Sequence, residues 1–305
     1  MFKRTASALL ALLALTLVRP AFADSAPAPE IVYAKMPAHP AMWTVHGPKG
    51  TIYLFGSIHL LPPNVDWHTK EIDAAMASAD VLVFELAMDD SYKERVQTAI
   101  LERGMLPEGE HLRDMLSPAA RTEFDKEVSK LSIPPAQIDR MRPWLASLMF
   151  EVGSMRKQNY AASTGVEMQI DGPDHKDKRP VIGLETIESQ MSLLIPSDPK
   201  TELEAFEAAL TSERQNSGDQ MGPLLDAWMH GRTDRLDRLL NASLKKFPEL
   251  RKALLDNRNE AWVKTLSGML DENKVYFVTV GAAHLVGEHG VPALLRAKGY
   301  EVDGP

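Results

Sequence analysis

Residues 275–287 read "VYFVTVGAAHLVG", an apolar run rich in β-branched and aromatic residues, then Gly281, two alanines and His284. The same pattern occurs far earlier in the chain. Residues 53–62 read "YLFGSIHLLP", where an apolar run leads into Gly56, two residues and His59. Glycine just after a strand lets the chain turn sharply without a Cβ penalty. The pair therefore predicts two strand ends that each present a histidine. "VLVFEL" at 81–86 is a continuous apolar run that closes on Glu85, the mark of a strand buried on both faces. In open α/β sheets functional groups gather at the carboxyl ends of strands. Strands 51–55, 81–86 and 275–280 lying side by side would bring His59, Glu85 and His284 to one rim. Two imidazoles and a carboxylate suit Zn²⁺, Mn²⁺ or Fe²⁺ with positions left for water.

Working outward, "WTVHGPKGTIYLF" predicts a β-hairpin, with strands at Trp43–Val45 and Thr51–Phe55 around the turn "HGPKG". "VDWHTKEIDAAMASAD" (65–80) predicts a helix with Ile72, Ala75 and Met76 on one face. Residues 51–86 then form a strand–helix–strand unit, expected to be parallel and right-handed. From Ser91 the pattern is helical. "SYKERVQTAILERG" is expected to end on Gly104 as a C-cap, and Ser117 and Pro118 open another helix as N-cap and N1. "PWLASLMFEVGSMRKQNY" is a third helix. A charged loop, "DGPDHKDKRP", precedes "VIGLET" (181–186), a short strand carrying Glu185. Further helices run to "ELRKALLDNRNEAWVKTLSGML", and the chain closes with a helix, "GVPALLRAKG", and a strand, "YEVD". The expected fold class is α/β, of mixed α+β character. Its central sheet comes from N- and C-terminal strand segments, and a large helical insertion spans about 91–270 of a single domain at 43–305.

The first 23 residues read as a cleavable secretory signal. Lys3 and Arg4 precede an apolar stretch that ends in Ala21-Phe22-Ala23, too short to anchor stably in a bilayer. Cleavage is expected after Ala23, with an extended Pro- and Ala-rich arm over 24–42 and a periplasmic or secreted product. No other apolar run approaches transmembrane length. The chain has no cysteine, so disulfides and thiol lipidation are excluded. Removing Lys3, Arg4 and Arg19 from 34 Lys and Arg leaves 31 against 42 Asp and Glu, a net charge of −11. That balance argues against nucleic acid or an anionic membrane surface as the main partner.

Taken in order, "YLFGSIHLLP", "VLVFEL", "VIGLET", "LLDNRNEAW" and "VYFVTVGAAHLVGEHGVPALLRAKGYEV" resemble the TraB/GumN family, related to the Tiki-type proteases. The resemblance covers nearly all of the chain after the signal. It implies a divalent-metal site built from the two Gly-x-x-His motifs and acidic residues, in relatives that are metal-dependent peptidases, with kinship to erythromycin-esterase-like enzymes and a haem-binding lipoprotein. Carried onto this sequence, the family's positions fall on His59, Glu85, Glu185, Arg258, Asn259 and His284. The implied metal ligands are His59, His284 and Glu85, with Mn, Co or Zn as the ion. The implied catalytic set is Glu85 or Glu185 to hold or deprotonate water, Arg258 to stabilise an oxyanion, and Asn259 beside it. One departure is visible: Gly165-Val166-Glu167 stands where the family pattern has an aspartate third.

Each residue also has a structural reading. A histidine can cap a turn, Glu85 can pair with an arginine, Glu185 can cap the next helix, and Arg258 and Asn259 can lie on a solvated helix face. His39, His46, His68, His111, His175, His230 and His289 are read as surface residues. "HLVGEH" (284–289) is one residue too long for H-x-x-E-H, and five helical residues turn about 500°, so its histidines share no face. Three functions remain: a metal-dependent hydrolase of a peptide or small carbonyl substrate, a metal-independent esterase-like hydrolase with His59 as general base, and a non-catalytic binder of haem, metal or a partner.

Overall fold

The structure, a computed structural model, describes residues 34–89, 91–172, 179–195, 198–211, 221–241, 244 and 247–305. The signal sequence, the arm up to residue 33 and His175 lie outside the described residues. The rest of the arm holds β1 (Met36–Pro37), and His39 donates its backbone N–H to the Met229 carbonyl. The chain divides into two compact units. One is drawn from the Asp90–Tyr160 and Ile187–Gly218 stretches, the other from Ala26–Asp89, Ala161–Thr186 and Asp219–Pro305.

The second unit is built on β2 (Met42–His46), β3 (Thr51–Ser57), β5 (Val81–Phe84), β6 (Val181–Gly183), β7 (Val275–Gly281) and β8 (Glu301–Asp303). They form one six-stranded sheet in the order β6-β5-β7-β3-β2-β8. The hairpin is present, with Trp43 opposite Leu54, and β8 pairs antiparallel with β2 on its other side. β7 lies parallel between β3 and β5, with Tyr53 and Val83 set against Phe277 and Val278 respectively. The two runs that open the reading are thus direct neighbours. The residues of β5 and most of β7 are fully buried, as all-apolar central parallel strands should be. Phe55, Trp67, Trp228 and Phe277 pack over β3 and β7, and Trp228 Nε1–H donates to the Gly56 carbonyl at 2.7 Å.

Three expectations are corrected. The segment after β3 does not turn helical at Val65. Val65–Asp66 form β4, which pairs with β1, and α1 (Lys70–Ser78) starts where Thr69 Oγ1 accepts the Ile72 N–H. Gly104 is the last residue of α2 (Tyr92–Gly104) and has no left-handed φ. A Cβ there would meet Leu145 Cδ2 at 2.8 Å, so glycine lets α3 (Pro143–Lys157) pack close. The long helix near 249–270 contains a π turn at Lys252–Asp256 before α4 (Asn257–Met269).

The Gly-x-x-His glycines also serve a purpose other than the expected one. β3 and β7 run through Gly56 and Gly281, and neither has a positive φ. A Cβ on Gly56 would crowd Ala282 Cα at 3.2 Å, and one on Gly281 would crowd Glu85 Oε1 at 3.2 Å. Close approach, not turning, requires them.

The loop after β3 is fixed by residues 161–166. Leu61 and Ala161 exchange backbone hydrogen bonds, Thr164 Oγ1 donates to the Leu61 carbonyl, and Val166 N–H donates to the Ile58 carbonyl. Gly165 sits so close that a Cβ would lie 2.1 Å from the His59 carbonyl oxygen. Gly165→Ala is expected to destabilise the protein by about 1–3 kcal/mol in urea denaturation, by pushing the His59 backbone aside. A change under about 0.5 kcal/mol would show that the contact relaxes freely.

Candidate active site

Glu85 follows β5 and Glu185 follows β6, and the ladder continues past both strands. Leu184 N–H donates to the Phe84 carbonyl and Glu185 N–H to the Glu85 carbonyl. Two carboxylates are therefore held side by side. Glu85 is buried, and Oε1 accepts the Gly281 N–H at 2.8 Å. Like charges this close require a cation, and Arg258 from the first turn of α4 supplies it. Arg258 Nε donates to Glu185 Oε1 at 2.6 Å, and Nη2 bridges Glu85 Oε2 (2.6 Å) and Glu185 Oε2 (3.0 Å). Nη1 donates to the Leu254 carbonyl in the π turn (3.2 Å) and to His284 Nε2 (3.0 Å). All five N–H groups of the guanidinium meet an acceptor. Its Cζ lies 4.8 Å from the Trp262 ring centre, one turn along α4. As arranged, Arg258 has no N–H to spare for an oxyanion, the role the family resemblance assigns it.

His284 is carried by a 3₁₀ turn, Ala282–His284, directly after β7. Asn259 Nδ2 donates to the His289 carbonyl at 2.8 Å, which leaves Oδ1 to accept from His284 Nδ1–H at 2.6 Å. The proton is thereby placed on Nδ1 and the lone pair on Nε2, facing Arg258. Burial, then the Arg258 charge, push His284 down to about 3, only partly opposed by Glu85. The ring is neutral at any physiological pH. Burial would raise Glu85, but the charge of Arg258, with His59, the Gly281 N–H and, in acid, a protonated His284, outweighs it and holds the carboxyl at about 2.

His59 lies in the loop after β3, buried, with Nδ1 2.8 Å from Glu167 Oε1. The two atoms form a close ion-pair contact whose angles fall outside good hydrogen-bond geometry. Burial would lower His59, but Glu167 beside it and Glu85 beyond outweigh that and raise it above 6.5. Sequence reasoning marked Glu167 as the departure from the family's aspartate but gave it no partner. The signal available was its place in the "GVE" segment. Nothing in spacing alone tied that segment to His59, 108 residues away.

The structure thus joins Glu85, Glu185, Arg258, Asn259 and His284 by direct contacts. It places His59 with Glu167, where the charges of Glu85 and Arg258 also reach it. The His289 side chain is half exposed, and the residue meets this network through its backbone carbonyl at Asn259. Among the described residues, no three His, Asp or Glu side chains already stand around one point as a metal's ligands do.

The chain belongs to the TraB/PrgY/gumN family, which it matches over residues 41–304. It is 25% identical over 251 residues to "Uncharacterized protein YbaP" of Escherichia coli (strain K12), covering 80% of this chain and 87% of that one. It is 25% identical over 317 residues to "Metalloprotease TIKI2" of Xenopus tropicalis, covering 86% of this chain and 59% of that protein. To "Metalloprotease TIKI1" of Homo sapiens it is 24% identical over 321 residues, covering 86% and 61%. The chain therefore spans about three fifths of those two metalloproteases. Among the described residues, no helix is long and apolar enough to cross a membrane.

The two histidines should differ in proton affinity, one shifted down and the other up. In chelator-treated protein, imidazole ¹⁵N spectra are expected to show His284 as a fixed Nδ1–H tautomer, unchanged from pH 5 to 8. His59 should lose its proton only above pH 6.5, and Glu167→Gln should move that midpoint to lower pH. A His284 that titrates within this range would contradict the assigned network.

Proposed function

We propose that this TraB/PrgY/gumN family member is an exported hydrolase that cleaves a peptide or similar carbonyl substrate with water activated at the His59–Glu85–His284 cluster. One observation carries this reading: two buried imidazoles beside an ionised carboxylate, each with Nδ1 facing a carboxylate or amide oxygen that orients the ring. Ligand histidines typically have such a partner. Distant relatives named as metalloproteases support the same chemistry.

The donor types are those a divalent ion takes, but as arranged the three do not stand around one point, and Arg258 holds His284 Nε2 and Glu85 Oε2. His284 is neutral with its lone pair on Nε2, Glu85 is ionised, and His59 has Nε2 left over from its contact with Glu167. His59, His284 and Glu85 would hold Mn²⁺, Co²⁺ or Zn²⁺, which when bound lowers the pKa of a coordinated water to about 7. The chain's own residues do the rest. Asn259 and Glu167 orient the rings. Glu185, the less buried of the two paired carboxylates, takes the water proton as oxygen adds to the carbonyl carbon. It then gives that proton to the leaving nitrogen or oxygen as the bond breaks.

A second reading, metal-independent hydrolysis with His59 as general base, draws on the His59–Glu167 contact, which resembles a base held by its orienting acid. Chelation separates the two. Loss of turnover restored by Mn²⁺ or Co²⁺ supports the metal reading, and undiminished turnover supports the other. No turnover of any peptide or ester would leave only a binding protein.

His59→Ala and His284→Ala are each expected to remove metal and lower hydrolysis by about 10²-fold or more while circular dichroism stays unchanged. His289→Ala should do little. Full metal occupancy in either alanine variant would overturn the ligand assignment. Export is checked separately: mass spectrometry of the periplasmic fraction should find a chain starting at Asp24, and a cytoplasmic protein retaining residues 1–23 would contradict it.

A further inference from the structure

The described residues of the sheet end in two edge strands, β6 and β8. An unpaired strand edge invites another chain, and proteins usually blunt it with charge or cover it. β8 is blunted. Glu301 and Asp303 place acids on it, and Arg296 Nη2 donates to the Val302 carbonyl at 2.9 Å and to the Gly304 carbonyl at 3.1 Å. β6 has no such guard. Val181–Gly183 carries no charge, and Ile182 is 37% exposed. Its ladder to β5 uses the backbone of Pro180, Ile182 and Leu184. Leu82 N–H donates to the Pro180 carbonyl and Leu184 N–H to the Phe84 carbonyl, with Ile182 opposite Val83 between them. Along a strand, alternate residues aim their N–H and C=O to opposite sides. Those of Val181 and Gly183 therefore face outward, and among the described residues none of these four groups meets a partner.

The place of this edge gives it a use. Glu185 stands two residues beyond Gly183, about 7 Å at the rise of a strand. Its carboxylate is forked to Arg258 beside Glu85. Resting on the hydrolase reading above, we propose that β6 is the substrate-docking strand. An extended segment of the peptide substrate pairs with the outer edge of Val181–Gly183, and its continuation runs past Glu185 into the site. The outward N–H and C=O groups of Val181 and Gly183 hold the segment by its backbone, which reads no side chain. Ile182 adds an apolar contact and disfavours charge against it. The protein therefore selects an extended, uncharged stretch next to the cleaved bond. A second copy of this chain is a poorer occupant. Three residues of edge bury far less than the roughly 1,000 Å² of a stable interface, whereas a substrate makes further contacts at the site. The docking holds whichever way the water is activated.

The probe is a pool of short quenched-fluorescent peptides, assayed on the full chain with and without added Mn²⁺. The peptide cleaved fastest is remade with a single N-methyl group at each amide in turn, which deletes one backbone donor at a time. Pairing with β6 predicts that kcat/KM falls about fivefold, the scale of one neutral hydrogen bond, at two amides spaced two residues apart on one side of the cleaved bond. The amide between them should matter little. Sensitivity that does not alternate, or none beyond the cleaved amide, would overturn the proposal. Val181→Pro deletes an outward N–H of β6 and leaves the ladder to β5 alone, and proline is tolerated on such an edge. At Gly183 it would clash, because a Cβ there meets the Ala87 nitrogen at 2.8 Å. Val181→Pro is expected to raise KM about fivefold and keep kcat within about twofold, with circular dichroism unchanged. An unchanged KM in the folded variant would overturn the proposal. So would a wild-type dimer that this substitution dissolves, since the edge would then join two copies. Should Val181→Pro not fold, the N-methyl series on the wild type decides alone. A wild type that cleaves no peptide of the pool removes the hydrolase reading and this inference with it. Cleavage without alternation removes only this inference.

Discussion

A single guanidinium holds together three pieces of chain that are remote in sequence. Glu85 follows β5, Glu185 follows β6, and His284 follows β7, while Arg258 arrives from the start of α4. Without a buried cation, the paired carboxylates would repel each other and resist leaving water. The position of α4 against the sheet therefore depends on this charge, and the charge depends on the sheet holding its acceptors in register. The π turn before α4 belongs to the same arrangement, because its Leu254 carbonyl takes the one N–H the side chains leave over. Such turns recur at functional sites, where a local widening of a helix re-aims a group.

The strand order explains why the acceptors converge. β7 is inserted between β3 and β5, although it comes from the far end of the chain. That places Gly281 N–H against Glu85 Oε1 and brings the turn bearing His284 beside Gly56. Both motif glycines are thus small because a neighbour needs the room. A Cβ at either position would press on Ala282 or on the Glu85 carboxylate and force it to give by a few tenths of an ångström.

The second histidine is held by a different device. Residues 161–167 lie along the His59 loop, joined to it by backbone bonds at Leu61 and Ile58, and this brings Glu167 to the imidazole. One histidine is thus set beside an acid and the other beside an arginine and an amide. The cluster offers one ring that holds its proton strongly and one that does not bind a second proton.

Much was legible in the sequence alone. The apolar run at 81–86 marked a central strand because burial on both faces leaves no room for alternation, the hairpin turn marked 51–55, and the repeated Gly-x-x-His pattern marked the strand ends that carry His59 and His284. The acids at the ends of "VLVFEL" and "VIGLET" were visible for the same reason. The partners were not visible. Arg258 reads as one charge on an amphipathic helix, and its acceptors lie 173, 73 and 26 residues away. Glu167 reads as a departure from the family's aspartate, with nothing in the sequence to tie it to His59. Most telling are the two histidines, since the same four-residue pattern gives a ring raised above 6.5 at His59 and one lowered to about 3 at His284. Local sequence determined where each imidazole would stand. Its proton affinity depends on the charge packed against it, Glu167 in one case and Arg258 in the other, and only the tertiary structure brings those charges within reach.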